Sequence, residues 1–285
     1  MQNIHIEDQS SVRDIVKNSA SSFYWGMNIL ENNKKRAMFA IYAFCRIVDD
    51  IADSELKLSQ KKHLLMGWRK KISKIYEGVT TDYITRELLF AVNLFRLKKI
   101  DFFDIIRGMI KDTEKKIIYP SLKELEKYCD QVAGAVGCLS VNVFGIHNQK
   151  KAREYAIFLG RALQCTNILR DLWEDNQRGR CYINREIIVS EGLQNVRPKE
   201  LLECKKFVFV YEKFLKQTKN YYIKAENIAK TIDQNKILAA EIMKSLYSEL
   251  LKKMTVNDIR NKKRVKINPL IKFFLVLKEL MRKKN

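Results

Sequence analysis

Asn167-Ile168-Leu169-Arg170-Asp171-Leu172-Trp173-Glu174-Asp175-Asn176-Gln177-Arg178-Gly179-Arg180 decides how this chain is read. Asp171 and Asp175 stand four residues apart on what reads as a helix, beside Glu174 and among basic residues. Far upstream, Val48-Asp49-Asp50-Ile51-Ala52-Asp53 repeats the same offset. Residues i and i+4 of a helix project from one face, close enough to share one cation. Two such pairs facing each other would hold several Mg²⁺ ions, and Mg²⁺ favours carboxylates together with substrate phosphates. That arrangement suits a diphosphate substrate whose leaving group must be neutralised.

Each pair belongs to a longer polar stripe. Tyr42, Arg46, Asp49, Asp50 and Asp53 recur at helical offsets in the first segment, and Gln164, Asn167, Asp171 and Asp175 do so in the second. Polar side chains on the inward stripe of an apolar helix need partners, because an unpaired buried group costs about 1–3 kcal/mol. Metal and diphosphate are suitable partners. A lone D-x-x-x-D is usually a solvated helix face; two in one chain, each extended by an arginine or amide stripe, argue against that. Other chemistries fare poorly. His5, His63 and His147 are scattered, and neither a G-x-S-x-G elbow nor a phosphate-cradling P-loop occurs.

Across 285 residues there are only three prolines and ten glycines, and strand-like alternation is scarce. The reading is all-α, one domain over residues 1–285, without internal repeat or linker. Helical periodicity covers about 10–30, 34–54, 60–77, 82–95 and 101–115. Ser121 and Glu124 form a capping box that opens a helix running to about Gly145. Further helices are expected over about 149–175, from Pro198 to about 231, over 234–254, and from Asn268-Pro269 to about 284. The expected helix through Gly134, Gly137 and Gly145 carries small residues at a cost of about 1 kcal/mol each. Close helix packing explains them; so does a channel for a long apolar chain. Tyr128, about two turns earlier, is placed to reach the metal end.

The assembled motifs resemble the squalene/phytoene synthase family over nearly the whole chain up to about Met254. The carriers are Ser21-Ser22-Phe23-Tyr24, Tyr42-Ala43-Phe44-Cys45-Arg46, Val48–Asp53, Tyr128-Cys129-Asp130-Gln131-Val132-Ala133-Gly134 and Gln164–Asp171. The trailing Glu174-Asp175, Arg178-Gly179-Arg180 and Tyr182 match as well. Tyr128–Val141 and Gly179–Glu186 are most similar to the bacterial presqualene diphosphate synthase branch of the hopanoid pathway. Asn184 stands where a proline is frequent in that branch.

The resemblance implies an isoprenoid synthase helical bundle with a central cavity and a prenyltransferase activity. Two farnesyl diphosphates would be condensed head to head to presqualene diphosphate; squalene, dehydrosqualene and phytoene are the alternative products. It implies Asp49, Asp53, Asp171 and Asp175 as Mg²⁺ ligands, with Asp50 assisting. Arg46 and Arg264 would bind diphosphate, Gln164 and Asn167 would sit beside the metals, and Ser22, Phe23 and Tyr42 would line the site. Tyr128 and Tyr247 would lie near the cations or the departing diphosphate, with Tyr128 able to relay a proton.

The net charge of +21 fits an anionic substrate or membrane surface. No nucleic-acid-binding signature accompanies it, so nucleic acid is not an expected partner. Six cysteines without a CxxC pair read as reduced core thiols. No signal peptide and no uncharged apolar run of about 18 residues is evident, so the expected location is cytoplasmic, with peripheral contact on the inner face of the membrane. That contact would use the tail, where residues 252–285 hold twelve Lys/Arg against Asp258 and Glu279. Leu270, Phe273, Phe274, Leu277, Leu280 and Met281 make one broad apolar face of its last helix. The same helix packed on the domain with a basic rim is the competing reading. A non-catalytic assembly factor of this fold would be expected to lose the acidic clusters.

Overall fold

The computed structural model describes residues 2–19, 23–114 and 117–282. Among them regular structure is helical throughout, apart from a single parallel bridge between Ile118 and Cys181. The helices are α1 (Gln2–Asn18), α2 (Phe23–Asn28), α3 (Asn32–Asp53), α4 (Leu58–Ile75), α5 (Tyr83–Phe95), α6 (Lys99–Glu114) and α7 (Leu122–Cys129). A π turn over Asp130–Gly134 leads into α8 (Ala135–Phe144), followed by α9 (Gln149–Arg170) and α10 (Leu172–Gln177). The short α11 (Arg185–Ser190) and α12 (Pro198–Leu201) precede α13 (Phe207–Ala229), α14 (Leu238–Lys253), α15 (Val256–Arg260) and α16 (Pro269–Arg282).

Helix α3 is buried along Ala37, Ala40, Ile41, Phe44 and Val48, so its small residues admit neighbours closely. Phe44 meets Trp68 of α4 and Phe102 of α6 edge-on, with ring centroids at 5.6 and 5.4 Å. Each such buried aromatic contributes about 1.5–3 kcal/mol by leaving water. Helix α9 is the second axis of the bundle, packed by α8 and α13. Arginines tie the layers together. Arg36 forks onto buried Glu87 at 2.6 and 2.7 Å, and Arg153 forks onto Asp101 at 2.9 and 2.7 Å. Removing one partner of such a pair strands a buried charge, which costs several kcal/mol.

The capping signals hold. Glu124 N–H donates to Ser121 Oγ at 3.3 Å while Ser121 N–H donates to Glu124 Oε2 at 2.8 Å. Leu270 N–H donates to Asn268 Oδ1 at 2.8 Å, so Asn268 opens α16. Other boundaries differ. The first helix begins at Gln2 rather than near Ser10, and Pro198 opens one short turn while the long helix starts at Phe207. The expected helix to Gly145 is interrupted by the π turn. A Cβ on Gly160 would lie 2.7 Å from Gly134 N, so this stretch presses backbone to backbone on α9.

The expected helix over 149–175 bends at Asp171, which leaves α-helical geometry at φ −100°, ψ 11°. Hydrogen bonding carries through the bend: Asp171 N–H reaches Asn167 O at 2.8 Å and Asp175 N–H reaches Asp171 O at 2.9 Å. The two aspartates therefore stay one turn apart.

Helix α16 lies on α14, with Val276 and Glu279 buried and Ser245 Oγ donating to Glu279 Oε1 at 2.5 Å. Leu280 packs against the core, whereas Leu270, Phe273, Phe274, Leu277 and Met281 are exposed. The helix is thus apolar on two faces, not one. Residues 283 and 284 of its expected span fall outside the described residues. None of the described helices is long and apolar enough to cross a membrane. The six cysteines are free thiols, four of them buried.

Candidate functional site

Between α2, α3, α8, α9 and α14 runs a cavity of about 240 Å³. Met27, Ile41, Val136, Phe144, Leu159 and Met243 make its wall apolar. Along α9 its lining extends from Tyr155 to Asn167, a rise of about 18 Å at 1.5 Å per residue. Gly137 and Gly160 line it too, although a Cβ on Gly137 would meet Ala156 O at 3.0 Å. Of the three glycines of the expected helix to Gly145, Gly137 both packs closely and lines the cavity, Gly134 packs on α9 without lining it, and Gly145 caps α8 at φ 75°.

One end is polar. Tyr42, Gln164 and Asn167 line it, with Phe23 beside them. Phe23 lies between Tyr42 and Tyr247, ring centroids 6.2 and 6.1 Å away. Tyr42 Oη donates to Ser19 Oγ at 2.9 Å, which fixes its ring. Asn167 Nδ2 donates weakly to Gln164 Oε1 at 3.4 Å, and Asn167 Oδ1 is buried with no hydrogen-bond donor. Ser22 lies outside the described residues.

Beyond this end stand the carboxylates. Asp49, Asp50 and Asp53 occupy the last turn of α3; Asp171 sits at the bend and Asp175 in α10. Arginines hold several of them. Arg46 pairs with Asp50 at 2.6 Å and stands 3.7 Å from Asp49. Asp171 accepts from Arg170 at 2.8 and 2.5 Å and from Arg264 at 3.0 Å. Arg178 Nη1, just past α10, stands 3.8 Å from Asp53 Oδ1 and so bridges the two clusters.

For Asp49 and Asp175 the nearby arginines compensate only in part. Partial burial, then repulsion from Asp53, pushes the Asp49 carboxyl up to about 6. Burial, then Asp171, pushes Asp175 up to about 7. Both effects penalise the ionised form.

Asp112, at the end of α6, joins the site without any mark in the sequence. Tyr128 Oη and Tyr182 Oη donate to its two carboxylate oxygens at 2.9 and 3.0 Å. Its charge contributes to the upward shifts of both Asp49 and Asp175, so it lies between the clusters. The signal is weak because Lys111-Asp112-Thr113-Glu114 resembles an ordinary solvated helix end. Arg170 and Arg178, inside the decisive stretch, are likewise site residues that spacing alone does not mark.

Divalent metal fits this donor set. The carboxylates are hard oxygen ligands, two of them resist ionising without added positive charge, and Asn167 Oδ1 is a buried acceptor lacking a partner. Among the described residues no three His, Cys, Asp or Glu side chains surround one point suited to a metal. Arg46 pairs with Asp50, and Arg170 and Arg264 pair with Asp171.

Comparison with known proteins agrees with this geometry. The chain is 38% identical over 261 residues to a presqualene diphosphate synthase of Zymomonas mobilis, covering 91% of this chain and 89% of that one. It is 36% identical over 231 residues to a presqualene diphosphate synthase of Sinorhizobium fredii, covering 81% and 82%. A dehydrosqualene synthase crystal structure with bound ligand superposes with a TM-score of 0.84 at 28% identity, covering 98% of both chains. The family model of squalene/phytoene synthase matches residues 16–270. An all-α bundle with an apolar cavity, capped by two bridged carboxylate clusters, is therefore what its motifs imply: the chain belongs to the squalene/phytoene synthase family.

Proposed function

We propose that this chain condenses two farnesyl diphosphates head to head into presqualene diphosphate, acting as a single unit over residues 1–285. The observation that carries this reading is the junction of an apolar cavity, at its Tyr42–Gln164–Asn167 end, with the Asp49–Asp53 and Asp171–Asp175 clusters. The names of the relatives from Zymomonas mobilis and Sinorhizobium fredii support the product.

Asp49, Asp53, Asp171 and Asp175, with Asp50 and Asn167 beside them, would hold Mg²⁺. When bound, it supplies the positive charge that stabilises a departing diphosphate. Arg46, Arg170, Arg178 and Arg264 then turn from carboxylate to diphosphate oxygens, which suits a planar guanidinium. The apolar wall keeps water from an allylic cation, and Phe23, Tyr42 and Tyr247 offer electron-rich rings at the cavity end. C1 of the first farnesyl unit bonds to the double bond of the second, and loss of a proton closes the cyclopropane.

The same cavity could make dehydrosqualene, squalene or phytoene; the superposition on a dehydrosqualene synthase favours the first of these as second reading. A non-catalytic role leaves the retained clusters without a purpose. Incubating the purified chain with farnesyl diphosphate and Mg²⁺, with and without NADPH, and identifying products by mass spectrometry separates these outcomes. A C30 diphosphate formed without NADPH supports the proposal. Squalene formed only with NADPH, a C30 hydrocarbon formed without it, or a C40 product from geranylgeranyl diphosphate reassigns the chain.

The tail extends the proposal to location. Exposed Phe273 and Phe274, with Leu270, Leu277 and Met281, sit among Lys272, Lys278 and Arg282. An anionic lipid surface of the inner membrane face is the partner this combination matches, at about 1 kcal/mol per basic residue, and it would receive a C30 lipid product.

A further inference from the structure

Asp112 belongs to neither aspartate pair, yet it organises the side chains between them. Tyr128 Oη donates to its Oδ2 at 2.9 Å, and Tyr182 Oη donates to its Oδ1 at 3.0 Å. The two rings stack with centroids 5.0 Å apart and planes 24° from parallel. Arg180 Nη2 donates to the Asp112 backbone oxygen at 3.1 Å, fixing the end of α6 on which the carboxylate stands. Tyr128 and Tyr182 are both buried.

An ionised carboxylate only accepts hydrogen bonds, and a phenol carries a single hydrogen. Both phenolic hydrogens are therefore committed to Asp112. What either oxygen can present to anything else is a lone pair. Tyr128 is in consequence unable to act first as an acid toward a departing diphosphate, but is oriented to receive a proton. The π turn begins two residues on, and Val132 and Ala133 of that turn line the cavity.

We propose that Asp112 is a positioning residue for ring closure, presenting Tyr128 Oη as a proton acceptor and taking over the proton Tyr128 already carries. This rests on the head-to-head condensation proposed above. In the closing step a C–H bond of the cationic C30 diphosphate breaks and its electron pair becomes the last cyclopropane C–C bond. The released proton passes to Tyr128 Oη. The original phenolic proton crosses the 2.9 Å hydrogen bond to Asp112 Oδ2, so Tyr128 ends neutral and Asp112 ends as a carboxylic acid. No oxidant, reductant or further reactant is required. Burial pushes the Asp112 carboxyl above the usual range, which favours the protonated product of the relay, and pushes the Tyr128 phenol well above its own, which disfavours a free phenolate.

The test is a double-mutant cycle on the full chain with farnesyl diphosphate and Mg²⁺, using Asp112→Asn and Tyr128→Phe. An amide at 112 accepts through one atom only and cannot take a proton from a phenol. Each single variant is expected to lower kcat by on the order of 10²-fold, with KM held within about threefold. The half-saturating Mg²⁺ concentration stays unchanged in Asp112→Asn. The double variant is no slower than the slower single variant, because Asp112 acts through Tyr128. Losses that multiply, or a raised Mg²⁺ requirement in Asp112→Asn, would overturn the proposal and make Asp112 an independent or metal-holding group. If Asp112→Asn does not melt like a folded protein, Asp112→Ser, which likewise cannot hold the proton, replaces it in the same cycle with the same outcomes. A wild-type chain that makes no C30 product sinks the functional reading itself; an active wild type with multiplicative losses sinks only the relay.

Discussion

Arg178 Nη1 lies 3.8 Å from Asp53 Oδ1, which joins the segment carrying Asp171 and Asp175 to the last turn of α3. Through this contact the two clusters face one volume at the polar end of the cavity. Arg46 and Arg264 hold Asp50 and Asp171 on either side of it. Cations thus stand where a metal-bound diphosphate is expected, and the carboxylates are partly neutralised by side chains able to swing onto phosphate.

Asp49→Asn and Asp171→Asn should each lower kcat by on the order of 10²-fold or more, as removal of a group that stabilises transition-state charge does. Their stabilities should move in opposite directions. Asp49 repels its neighbours, so its amide variant should melt at the same temperature or higher. Asp171 accepts from Arg170 and Arg264, and its loss should cost at most about 1 kcal/mol for partly exposed pairs. Steady-state kinetics and thermal melts check both. Wild-type turnover in either variant would remove the metal-site assignment.

The metal-free protein should lose stability as pH rises from about 5 to 8. Asp49 and Asp175 have folded-state values of about 6 and 7, above an ordinary carboxylate. In that window the folded chain binds more protons than the unfolded chain, so stability falls with rising pH. The lowered carboxylates, such as Asp82 and Asp258, act only at lower pH. Melting temperatures in EDTA should decline across the window, and Asp175→Asn should flatten the decline. Added Mg²⁺ should raise the melting temperature more at the alkaline end, where fewer protons compete. A melting temperature that climbs with pH in EDTA would contradict the crowded-carboxylate geometry.

Gly160→Ala should destabilise the chain by about 1–3 kcal/mol, since forcing extra volume into a packed contact shifts backbone. The added Cβ would sit 2.7 Å from Gly134 N. Gly67→Ala on α4 meets nothing within 4 Å and should instead gain up to about 1 kcal/mol from helix propensity. Urea unfolding compares the two. Equal effects would mean that α9 and the π turn do not pack backbone to backbone.

Phe273→Ser together with Phe274→Ser should weaken binding to anionic liposomes while leaving stability within about 0.5 kcal/mol per site. These rings are 50% and 63% exposed and lean on each other rather than on the core. Activity on detergent-dispersed substrate should persist. Unchanged liposome sedimentation would leave α16 as a packed helix with a solvated rim.

What could be read from residues alone was local. The Asp49–Asp53 and Asp171–Asp175 spacings, the Ser121–Glu124 box and the Asn268 cap lie within one or two turns, where helical geometry is a property of sequence distance. What could not be read depends on partners far along the chain. Asp112 meets Tyr128 and Tyr182 only after folding, and nothing in its neighbours distinguishes it from a solvated acid. The bend at Asp171 and the π turn answer to packing on neighbouring helices, which propensity does not encode. Helix α16 has enough apolar residues for two faces, and only its seat on α14 shows which of them is covered.

The most direct measurement is the ratio of diphosphate released to farnesyl diphosphate consumed, with Mg²⁺ present and NADPH absent. Head-to-head condensation stopping at the cyclopropane retains one diphosphate in the product, so one should be released for every two substrates consumed. Release of one diphosphate for every substrate would contradict it, signalling either hydrolysis to farnesol or onward conversion to a C30 hydrocarbon.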